Sequence, residues 1–113
     1  MLKNYNGIVI GQSAGSINMA KDVFNSPEQS ENSEPIYFEG LGLTEINVEP
    51  HWKKDTSAFD ADEEYQRKYI LQESKKRDIY ALCDGSYIII NNNEIMNIYG
   101  EAYLVKDGKI SKI

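Results

Sequence analysis

Apolar residues in this chain fall into short runs separated by polar, glycine-marked stretches. Tyr5 to Ile10 closes on three consecutive aliphatics, Ile8, Val9 and Ile10, which predicts a short buried strand. Ala14 to Phe24 carries Ile17, Ala20, Val23 and Phe24 at helical spacing, so a helix with that inner stripe is expected. Asn25 to Glu34 is rich in Ser, Asn, Glu and Pro and reads as a loop. Ile36 to Phe38 reads as a short extended piece. Ile46 and Val48 alternate and predict a strand that ends at Pro50. Asp60 to Lys76 predicts an amphipathic helix with Tyr65, Tyr69, Ile70 and Leu71 turned inward. Its acidic start (Glu63, Glu64) and basic end (Lys75, Lys76, Arg77) suit the helix dipole.

The last third changes character. Ile79 to Leu82 reads as a buried strand, Asp84-Gly85 as a turn, and Ser86 to Ile90 as a second strand. Asn91-Asn92-Asn93 turns into Glu94 to Ile98, Gly100 breaks the run, and Glu101 to Val105 leads to a turn at Lys106-Asp107-Gly108-Lys109. These punctuated runs predict an antiparallel meander. There is no internal repeat and no low-complexity tract, and 113 residues suit one domain, 1–113.

Composition narrows the class. With 41% hydrophobic and 27% charged residues, the chain fits a soluble globular protein. A net charge of −6 without a basic patch argues against nucleic acid and against anionic membranes as partners. The apolar runs are too short to span a bilayer, and no charged-then-apolar signal opens the sequence, so the default location is the cytoplasm. The single cysteine, Cys83, cannot form an internal disulfide and is expected to be a core thiol beside Leu82.

The chemistry-bearing segment is Gly11-Gln12-Ser13-Ala14-Gly15, at the predicted junction of strand and helix. G-x-S-x-G is the pattern of a nucleophile elbow. Gly11 and Gly15 permit the tight turn, the Ser13 hydroxyl is pushed clear, and backbone N–H groups at the helix start can hold an oxyanion. The competing reading is a serine that only caps a helix. A serine nucleophile needs a base and an acid to orient it. His51 is the one histidine, so it is the base if Ser13 is activated by histidine. It follows a predicted strand and reaches the same carboxyl edge as Ser13 if the two strands run parallel. For the acid, Glu28 lies in the loop between Ser13 and His51, with Glu31, Glu34, Asp22 and Asp84 as rivals that spacing does not separate. One His and one Cys without clustered spacing make no metal site, and no cofactor is implied.

The set GQSAGS, PEQ, GLGLTEINVEPHW, IYALCDGSYIII and YGEAYLVKDGKI resembles dipeptidase E (aspartyl dipeptidase) and its cyanophycinase relatives over nearly the whole chain. The resemblance implies a serine peptidase acting on short peptides. It implies an α/β fold, a partial three-layer α/β/α glutamine amidotransferase-like (flavodoxin-like) sheet ending in the antiparallel meander. Ser13 would be the nucleophile, His51 the base, Glu28 the third, acidic member, and the Ala14 N–H an oxyanion donor. An arginine after the histidine reads an acidic side chain in such dipeptidases. Here that stretch is acidic, Asp60-Ala61-Asp62-Glu63-Glu64, with Arg67 as the substitute substrate-binding cation. The resemblance implies that the chain corresponds to the C-terminal half of such a protein. A homo-oligomer or a separate N-terminal half is therefore expected to cover its elbow strand, and the alternative role is a non-catalytic interaction subunit. Class I glutaminase chemistry is excluded, because it uses Cys at the elbow and His-x-Glu where this chain has Ser13 and His51-Trp52-Lys53.

Overall fold

A computed structural model describes residues 8–12, 14–26, 35–57 and 59–113. The fold is α/β, with mixed sheets and few helices, compatible with part of a glutamine amidotransferase-like sheet. Its centre is a βαβ unit. Strand β3 (Asn47–Glu49) leads through helix α2 (Ala61–Glu73) into β4 (Ile79–Leu82), which pairs parallel to β3. Parallel neighbours need such a crossover, and a helix can supply it while covering a face of the sheet. β7 (Ala102–Lys106) then pairs antiparallel with β4, and β8 (Lys109–Lys112) with β7, giving the order β3-β4-β7-β8.

The β4/β7 register puts Ile79, Ala81, Tyr103 and Val105 on one face. Ile70 of α2, Trp52 and Phe24 close the core over that face, with Tyr69, Leu71 and Cys83 at its margin. Tyr65, Tyr69, Ile70 and Leu71 thus take the half-buried or buried side of α2. Asp60 caps the helix by accepting the Glu63 N–H at 2.8 Å, and Asp62, Glu63 and Glu64 fill the first turn. The basic trio expected inside the helix follows its end instead.

The expected helix over Ala14–Phe24 is one turn long. α1 covers Ala14–Ile17, and β1 (Asp22–Asn25) follows and pairs antiparallel with β2 (Ile36–Glu39). Val23 and Phe24 are β-branched and aromatic, and they gain more from facing Phe38 and Tyr37 across a ladder than from a helical turn. Phe24 and Tyr37 rings lie 5.6 Å apart, and the Tyr37 hydroxyl donates to Glu73 at 2.7 Å, tying this hairpin to α2. Buried Glu73 also has Arg77 Nε 2.8 Å from its Oε2, as an ion pair rather than a hydrogen bond.

Residues 8–10, the described part of the expected elbow strand, are not in a strand. Ile8 and Ile10 are 86% and 87% exposed. No described strand offers this segment a ladder, and of its three aliphatic side chains Val9 alone is partly buried. The C-terminal antiparallel strands are present, divided between two sheets. β5 (Tyr87–Asn91) and β6 (Glu94–Tyr99) form a separate hairpin inserted between β4 and β7. Asn92 and Asn93 take positive φ in its turn, as Asp107 and Gly108 do between β7 and β8.

Gly11 has no room for a side chain. A Cβ there would lie 2.4 Å from Met19 Sδ and 2.8 Å from the Gly15 carbonyl oxygen, and the backbone contact cannot yield cheaply. At Gly15 a Cβ meets nothing within 4 Å among the described residues. Gly11→Ala is therefore expected to cost about 1–3 kcal/mol. Gly15→Ala, inside α1, should be neutral or stabilising by up to about 1 kcal/mol. Urea denaturation of the two variants checks this, and equal losses would contradict it.

Candidate active site

The parallel pairing of β3 and β4 brings two loops to one carboxyl edge. Glu49 pairs with Ala81 in the register, so Pro50-His51 and Cys83-Asp84 leave the sheet side by side. His51 Nδ1 lies 2.7 Å from Asp84 Oδ1. The Trp52 N–H donates to the Leu82 carbonyl at 2.9 Å, which locks the first loop onto the end of β4. His51 itself has φ 58°, a left-handed conformation that costs a non-glycine residue on the order of 1–2 kcal/mol. Strain of this kind is held by its surroundings and clusters at functional sites. The His51 and Asp84 side chains are 65% and 81% exposed, so the pair adds little to stability.

Behind His51 sits a carboxylate that sequence reasoning passed over. Glu49 is 7% exposed. The Ser26 hydroxyl donates to it at 3.2 Å, and Gln66 Nε2 of α2 donates to Ser26 Oγ at 2.8 Å. Burial pushes the Glu49 carboxyl up to about 7, against the opposing pull of Ser26, Arg67 and His51. The alternation that predicted β3 put Val48 on one face and hence Glu49 on the other, which was the available signal.

Arg67 of α2 lies over the Trp52 ring at 3.6 Å, near Phe59 at 4.9 Å, and donates to the Lys53 carbonyl at 2.8 Å. Burial lowers its pKa, with the Glu49 charge opposing. The guanidinium thus braces the turn that carries His51, and it also lines an open groove of about 570 Å³ with Phe59, Lys68, Leu71 and Lys75. Lys53 pairs with Glu63, which raises the lysine pKa.

Of the sequence-identified residues, His51, Arg67, Gly11 and Gly15 lie among the described residues, and Ala14 opens α1, which contacts β3. Ser13 and Glu28 lie outside the described residues. Among the described residues no group of three His, Cys, Asp or Glu side chains is arranged for a metal, and no helix is long and apolar enough to cross a membrane.

These features accord with comparison to known proteins, which makes the chain a hydrolase of the peptidase class. A family model, peptidase family S51, matches residues 2–98, and the chain belongs to that family, the dipeptidase E family. At family level its function is that of a serine peptidase. No curated protein and no solved structure matches the chain.

Proposed function

We propose that this protein hydrolyses short peptides by acyl transfer through Ser13, His51 and a carboxylate. The observation that carries the reading is the His51–Asp84 contact at the carboxyl edge of the β3/β4 pair. An Nδ1–H that donates to Asp84 leaves Nε2 with a lone pair to take the Ser13 proton. Ser13 Oγ then bonds to the peptide carbonyl carbon, and the Ala14 N–H is the proposed donor to the oxyanion. His51 returns the proton to the departing amine. Water, deprotonated by the same imidazole, releases the acyl group. The contact supports Asp84 in the acid role, giving the order Ser, His, acid, while Glu28 is the family-based alternative. Arg67 and the groove beside it are the proposed substrate contact.

The test is intact mass after exposure to a fluorophosphonate probe. A single adduct on the wild-type chain, absent from Ser13→Ala, is expected. A folded chain that takes no adduct would overturn the reading. The exposure of Ile8 and Ile10 favours the second reading in that event, a subunit that acts through a partner strand. Light scattering would then report self-association.

A further inference from the structure

We propose that Glu101 is a positioning residue for the acid turn, holding Cys83–Ser86 so that Asp84 meets His51. The inference rests on the proposed catalytic role of His51 and Asp84. Cys83, Asp84, Gly85 and Ser86 form a tight turn, with the Ser86 N–H donating to the Cys83 carbonyl at 3.0 Å and Gly85 at φ 87°. Every polar group of Cys83, the first corner, is engaged. Its carbonyl also accepts from Ser86 Oγ at 2.5 Å, and its N–H donates to the Glu101 carbonyl at 3.1 Å. Its thiol lies 3.6 Å from Glu101 Oε2.

Glu101 is itself anchored, because the Tyr103 hydroxyl donates to the same oxygen at 2.8 Å from a ring in the core. Gly100 packs so closely that a Cβ there would lie 2.7 Å from Ser86 Cβ. One carboxylate thus connects the core, through β7, to the corner from which Asp84 projects. Electrostatics agrees with a fixed anion. Tyr103 first, then Lys54, Cys83 and Lys112, hold Glu101 below the usual carboxylate range. The hydrogen bond to Glu101 pushes Tyr103 up to about 12. Burial first, and then the Glu101 charge, raise the Cys83 thiol.

The experiment compares wild type, Glu101→Ala, Glu101→Gln and Tyr103→Phe. Because the chain has one histidine, the Nδ1–H proton of its imidazole is a single NMR signal that needs no catalysis. Glu101→Ala is expected to lose that signal to solvent exchange and to slow fluorophosphonate labelling of Ser13 about 10- to 100-fold, the cost of a misplacement near 1 Å. Its Cys83 should alkylate faster at pH 8. Glu101→Gln keeps an acceptor oxygen and should retain the signal and most of the labelling rate. Tyr103→Phe should weaken the signal in the same direction, and it decides the matter if Glu101→Ala does not fold. An unchanged Nδ1–H signal in Glu101→Ala, or in Tyr103→Phe where that variant decides, overturns the proposal. If wild type shows the signal but takes no adduct, the peptidase reading fails while the positioning role is still judged by the NMR signal.

Discussion

Asp84→Asn is expected to slow fluorophosphonate labelling of Ser13 by about 10,000-fold while leaving the fold intact. The loss comes from the tautomer. A carboxylate 2.7 Å from His51 Nδ1 favours the tautomer with the proton on that nitrogen, which puts the lone pair that acts as base on Nε2. An asparagine amide at that place can donate to Nδ1 instead, which moves the proton to Nε2 and leaves no lone pair for the Ser13 hydroxyl. Nitrogen-15 NMR of the one imidazole reports the switch directly. Glu28→Ala is the companion variant. If Asp84 is the orienting acid, Glu28→Ala labels at nearly the wild-type rate. A severe loss in Glu28→Ala with little change in Asp84→Asn would assign the role to Glu28 and return the Ser, acid, His order.

Glu49 should make stability fall as pH rises through the neutral range, the reverse of an ordinary paired carboxylate. Its folded pKa, about 7, lies above the reference 4.5 because burial disfavours the charge. Between about pH 4.5 and 7 the folded chain therefore holds a proton that the unfolded chain has released, and stability declines with each step in pH. Below 4.5 both states are protonated and the contribution is fully present. Above about 7 both are ionised and it is lost. The displacement from 4.5 to about 7 corresponds to about 3 kcal/mol. Glu49→Gln keeps the oxygen that accepts from Ser26 and removes the ionisation. Its stability relative to wild type should therefore rise by about that amount between pH 4.5 and 8 in urea titrations. Parallel pH curves for the two proteins would show that Glu49 is ionised in both states across that range.

Particular elements show how far the sequence could be read. Ile79–Leu82 was legible as a short apolar run, and α2 because Asp60 with its acidic followers marks a helix start. The hairpin turns were legible because Asn-Asn and Asp-Gly tolerate positive φ. Ala14–Phe24 was misread because Ala20, Val23 and Phe24 satisfy both a helical stripe and a buried strand, and only the partner strand Ile36–Glu39 breaks the tie. Cys83, expected as a core thiol, is half-buried at the core margin instead, with its thiol toward Glu101.

Local patterns in the chain were enough to point to a serine hydrolase. The G-x-S-x-G segment and the lone histidine after a strand are local patterns, and local patterns survive in one dimension. They also put His51 just past a strand, from which it reaches a shared carboxyl edge if the neighbouring strands run parallel. Which carboxylate faces His51 was a matter for the tertiary structure. Asp84 is 33 residues away in the chain, and it arrives at 2.7 Å only because β3 and β4 pair in parallel with Glu49 opposite Ala81. Glu49, Glu101 and Arg67 acquired their surroundings in the same way, through burial and contacts between segments far apart in sequence. Pairing register and burial are set by the packing of the whole chain, and no single segment carries them.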